Sequence, residues 1–135
     1  MNEQMERTLI AGNWSMMCRS AEAHAAAMAR MCLPQFAELI HREVPRFTNL
    51  ATPQTQEEMR PRNQLSIALS SKIGSIAHAS AMAKLHPEVA ADIHRLTDEF
   101  CQQIPLDGEV AMHSITLSSA ISTACHSATM RRMTQ

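Results

Sequence analysis

An all-helical bundle of about five helices is what this sequence predicts, and three observations carry the prediction. Alanine, methionine, leucine and glutamine are abundant while β-branched runs are absent, a bias toward residues that a helix restricts little. Glycine occurs only at Gly12, Gly74 and Gly108. Apolar residues recur every three or four positions over long stretches, which is the period of a helix face and not of a strand. More than two-thirds of the residues should therefore be helical, with no sheet.

The elements follow in chain order. A first helix is expected from about Glu3 to Cys32, with Gly12-Asn13 as a possible interruption. Pro34 suits the first turn of a second helix, reaching about Val44. Residues 45–62 hold Pro45, Pro53 and Pro61 among Thr, Asn and Gln, which reads as a mostly irregular connection crossing the bundle. A third helix from about Asn63 to Leu85 aligns Leu65, Leu69, Ile73, Ile76 and Ala83 on one stripe. Pro87 opens a fourth, whose apolar face is Val89, Ile93, Leu96, Phe100 and Ile104. Pro105-Leu106-Asp107-Gly108 closes it before a fifth helix, capped by Asp107, with Val110, Leu117, Ile121, Ala124 and Ala128 along its stripe.

With 135 residues, residues 1–135 form one domain that buries roughly two-thirds of its unfolded surface. Acids near the start replace a basic leader region, and no apolar run reaches the length of a membrane span, so the expected setting is cytoplasmic and no membrane partner is expected. Cys18, Cys32, Cys101 and Cys125 lie in helical patterns without a CxxC, which suits reduced, mostly buried thiols. A net charge of −1 with interspersed signs creates no field to steer a polyanion. With only Trp14, Phe36, Phe47 and Phe100 as aromatics and no tyrosine, stacking platforms for single strands are missing too. Nucleic acid is excluded on both grounds, and Arg131-Arg132 reads as a solvated helix end.

Sliding the chain against itself brings out an internal helix-proline-helix repeat. An offset of 48 pairs Ser66-Ile67-Ala68-Leu69-Ser70-Ser71 with Ser114-Ile115-Thr116-Leu117-Ser118-Ser119. An offset of 54 pairs residues 23–31 with 77–85, and an offset of 53 pairs Pro34 to Arg42 with Pro87 to Arg95. The units are about 10–45 and 64–104, joined by the Pro-rich connection, with a third partial copy at 108–133. Pro34 and Pro87 should then sit at equivalent bends, and Ile40 and Ile93 in equivalent core positions.

Candidate chemistry clusters on the repeat. His24/Met28, His78/Met82 and His126/Met130 each place an imidazole and a thioether four residues apart on one helix face, a donor set suited to a soft ion such as copper as Cu(I). Three histidines must converge for that, because one pair offers only two donors. The plainer reading makes the methionines core filler and the histidines residues of the face boundary. Glu38 and His41 have the Glu-x-x-His spacing of di-iron bundles, but Ala91 stands where the second unit would need its glutamate. His94 and Cys101, seven apart, are a weak nucleophile and base pair. No phosphate-cradling loop, His-Glu-x-x-His or Gly-x-Ser-x-Gly is present, so no catalytic constellation stands without a metal. The expected function is a non-enzymatic, methionine-rich protein-interaction module of adaptor, chaperone or inhibitor type, forming a homodimer and presenting a methionine- and alanine-rich face to a protein partner. The alternative is a copper-type protein using the six His and Met residues.

Overall fold

The computed structural model describes residues 2–134. Among these residues helix accounts for 86% and strands are absent, as the composition predicts. Five helices form: α1 (Glu3–Arg30), α2 (Pro34–Thr48), α3 (Gln56–Leu85), α4 (Ala90–Gln103) and α5 (Val110–Met133), with a 3-10 turn at Pro87–Val89 leading into α4. None is long and apolar enough to cross a membrane.

Local chemistry sets most of the ends. Asn2 caps α1 by accepting from Met5 N at 2.8 Å, and Thr55 caps α3 by accepting from Glu58 N at 3.1 Å. Glu58 reaches back to Gln54 N at 2.7 Å, so two otherwise orphaned amides are satisfied at that start. α1 is unbroken at Gly12, whose position is exposed. The expected connection over 45–62 is shorter than predicted: α2 continues through Pro45 to Thr48, and α3 already contains Pro61. Both prolines are exposed, as are His41 and Glu57 four residues before them. The carbonyls that lose a helical partner therefore face water, which lowers the cost of an internal proline. Only residues 49–55 are irregular there. Asp107 does not cap α5 either. Gly108 N donates to Pro105 O at 3.0 Å and closes a tight turn, so the helix starts after Glu109, which makes no side-chain cap.

Packing contacts give the helix directions. Arg62 lies over the Trp14 ring at 4.7 Å, while Leu33 N donates to Ser80 Oγ at 2.8 Å and Lys84 Nζ to Met31 O at 2.6 Å; α1 and α3 are therefore parallel. Ser75 bonds Ser114 at 2.9 Å, and Arg132 reaches His86 and Glu88, so α5 runs the same way. α2 and α4 run opposite to these three, aligned with each other through Phe36 with His94 and Arg42 with Asp98. The result is two layers: α1, α3 and α5 side by side, with α2 and α4 seated beneath them. α3 is central, and α1 and α5 do not touch among the described residues.

The core lies between the layers. Phe36, Phe47, Ile40, Ile73, Ile76 and Ile93 are fully buried, each contributing about 1.5–3 kcal/mol by leaving water. Ile40 and Ile93 are both at 0% exposure, as their apolar helix faces lead one to expect. The bends are not equivalent, however. Pro34 begins α2 directly after an extended Leu33, whereas Pro87 follows His86 at φ −130° and ψ 70° and opens a 3-10 turn. The two prolines thus open their helices differently, and the internal repeat is not confirmed by the fold.

Candidate functional site

The two sides of the molecule differ in charge. The exterior of α2 and α4 is an ordinary solvated surface, with Arg42 paired to Asp98 and Arg95 to Asp92 and Glu99. The Arg42 guanidinium donates to Asp98 and holds its carboxyl below the usual carboxylate range. The outward side of the α1, α3 and α5 layer is built differently. Along one line of α3 the exposed positions are Ile67, Ser70, Gly74, His78, Ala81 and Leu85, recurring every three or four residues as one helix face, with the exposed Lys84 beside the last of them. α1 adds Met16, Ser20, His24 and Ala27, Met31 follows at its C-terminal end, and α5 adds Ile115, Ser118 and Ser122. None of these is Asp, Glu, Lys or Arg; Lys84 stands at the end of the face and donates to Met31 O.

Shallow grooves flank α3 on both sides. Met16, Met17, Ser20 and His24 face Ser66 and Ser70 across the first. Ile67, Ala68 and Ser71 face Val110, Ala111 and Met112 across the second, one end of which carries Asp107 and Glu109. Met16, Met31, Ile67, Leu85 and Ile115 are each more than half exposed. Small residues between them keep the relief low, so a helix or sheet could approach the backbone closely.

The predicted metal residues divide between this face and the core. His24, His78 and His126 are exposed, Met28 and Met82 pack partly against the core, and Met130 is exposed. The parallel course of α1, α3 and α5 is the direction that convergence needs. α3 nevertheless separates the helices of His24 and His126, so each pair stands on its own helix. No group of three His, Cys, Asp or Glu side chains among the described residues is arranged to hold an ion. Glu38 and His41 are exposed on α2. His94 packs edge-on against Phe36 at 5.3 Å. Burial, then the Glu43 charge, pushes the Cys101 thiol up to about 12, which leaves no thiolate for nucleophilic work near neutral pH.

The sequence reading overlooked a buried ionic cluster between the layers. Glu43 and Lys72 are both fully buried, with Lys72 Nζ 2.6 Å from Glu43 Oε1. Lys72 also donates to Cys101 O at 3.0 Å, and so does Arg46 Nη1 at 3.0 Å. That carbonyl has no helical partner because the residue four further on is Pro105, which lacks an N–H. Arg46 Nε comes within 3.3 Å of Glu43 Oε2, off the hydrogen-bonding direction. A signal was present: Lys72 is the only charged residue between Asn63 and Ala83 and falls on the apolar stripe beside Leu69, Ile73 and Ile76. The cluster ties α2, α3 and α4 together and has no opening to solvent at the lysine. It is a structural core, and the exposed uncharged face is the candidate site. No family model, curated protein or solved structure matches this chain.

Proposed function

We propose that the chain is a non-enzymatic helical protein-interaction module whose working surface is the outward side of α1, α3 and α5. One observation carries this: a three-helix face whose central exposed positions carry no charge, with Lys84 and the Asp107–Glu109 turn at its two ends, on a molecule whose opposite exterior is normally charged. Contiguous apolar surface beyond a few hundred Å² is kept on soluble proteins chiefly where something covers it. Methionine and alanine suit such a surface, since a flexible thioether adapts to its partner and alanine allows close approach. Self-association and a cytoplasmic setting belong to the same proposal; the thiols, buried or half-buried as apolar filler, support the latter.

Light scattering over a dilution series tests the reading. Association that is lost in Ser70→Glu and Ser118→Glu, but kept in Glu38→Arg on the charged side, is the expected outcome. A chain that stays monomeric, binds no protein through this face and tolerates both glutamates without consequence contradicts it.

A further inference from the structure

The occupant of this face can be named more closely, an inference that rests on the interaction-module reading. Gly74 lies near the middle of α3, exposed, and a Cβ built there meets nothing within 4 Å. Glycine in a helix interior is unfavourable relative to alanine, and no neighbour inside the chain requires the missing methyl. Its φ is not positive, so no special backbone conformation requires it either. Gly12 shares these features, so what sets Gly74 apart is its place at the centre of the exposed face, where it permits a close backbone approach from outside the chain.

Area points to what approaches. A folded monomer of 15.0 kDa exposes about 7,000 Å² by the usual scaling, whereas this chain exposes 8084 Å². The excess, about 1,000 Å², is comparable with the roughly 800 Å² that each partner of a standard interface buries. The face itself is of that size. From Ile67 to Leu85 is about 27 Å at 1.5 Å per residue, and three helices spaced 8–10 Å give a similar width, hence about 700 Å² before relief.

Charge selects the partner. The middle of the face around Gly74 holds no Asp, Glu, Lys or Arg, with Lys84 and the Asp107–Glu109 turn at its ends, so it buries no unpaired ion against a surface equally free of charge there, and a second copy of this chain offers one. We infer that the occupant is a second copy of this chain, docked face to face about a two-fold axis, with α3 crossing its counterpart at Gly74. A two-fold contact is self-complementary by construction, so the same serines, alanines and glycine that lower one surface lower the other.

The test uses the full chain in three measurements. Sedimentation equilibrium should give twice the chain mass for the wild type. Gly74→Leu should raise the dissociation constant at least about tenfold while its circular dichroism and thermal unfolding stay those of a folded helical protein. A wild type that remains monomeric at every concentration, or a dimer indifferent to Gly74→Leu, overturns the inference. A photo-cross-linking residue at position 78 separates the two levels of the reading. An adduct of twice the chain mass supports self-pairing; an adduct of another mass from a monomeric chain overturns self-pairing and keeps the module; no adduct of either kind counts against both. Flotation of the monomer with neutral phosphatidylcholine vesicles also overturns self-pairing, in favour of a lipid surface.

Discussion

Replacing Lys72 by methionine removes the only donor to Glu43 Oε1 among the described residues and strands a carboxylate at 0% exposure. Arg46 is its one remaining counter-charge, partly solvated and poorly directed toward Oε2. Breaking one side of a buried pair costs about 3–5 kcal/mol, a large part of the roughly 5–15 kcal/mol that holds a domain of this size together. Removing both charges is a different perturbation. Lys72→Met with Glu43→Leu fills the site with apolar atoms, and Arg46 still satisfies Cys101 O from its 3.0 Å position. Such a double replacement should fall within about 1 kcal/mol of wild type, giving a coupling energy of about 3 kcal/mol or more. Urea unfolding of the four proteins at one fixed chain concentration, followed by circular dichroism, measures it. Additive single costs, or a Lys72→Met protein within about 1 kcal/mol of wild type, would refute the cluster as the tie between α2, α3 and α4.

Phe47→Ala should cost about 3–5 kcal/mol, since Phe47 is fully buried and packs against Trp14 with ring centroids 4.9 Å apart; a thermal midpoint near wild type would contradict it. A thiol-reactive dye at neutral pH should reach Cys18 and Cys32 first and leave Cys101 silent until unfolding, because Cys101 is buried and its thiol is pushed up to about 12; a burst of four thiols in the folded protein would be the wrong result. Asp98, held below its ordinary range by Arg42, lends stability above its unfolded pKa of about 3.9 and loses it as pH falls through the lower folded value. The pair is part-exposed and worth under about 1 kcal/mol, so the deficit of Asp98→Asn should shrink between about pH 6 and pH 3, and a constant deficit would speak against it. With each His-Met pair on its own helix, Cu(I) titration of wild type and of His78→Ala with Met82→Ala should coincide; tight binding confined to the wild type would restore the copper alternative.

Much of the fold is legible in the residues, because long helices state their faces repeatedly. Leu69, Ile73, Ile76 and Ala83 are buried together as their spacing demands, as are Val89, Ile93 and Phe100. The prolines mislead because their cost depends on which carbonyl they orphan: Pro45 and Pro61 orphan carbonyls of exposed residues, and helices pass through them. Asp107 misleads because a tight turn ends in a hydrogen bond that a list of capping residues does not contain. The candidate site is legible only in part. Uncharged stretches in α3 and α5 are visible in the sequence, but their meeting with α1 in one parallel layer depends on long-range pairings such as Leu33 with Ser80 and Ser75 with Ser114. The Lys72 and Glu43 partnership is invisible for the same reason, since 29 residues separate them.

Methionine oxidation tests the central claim most directly, because it reports on the face itself in the unmodified protein. Met16 and Met31 lie on it, 64% and 61% exposed in the single chain, while Met5, 54% exposed, lies on the first turns of α1 before α3 begins alongside. Mild peroxide oxidation, quantified at each methionine by peptide mass spectrometry, should proceed slowly at Met16 and Met31 when the protein is concentrated and catch up with Met5 on dilution. Equal rates at all three positions at every concentration would contradict the account.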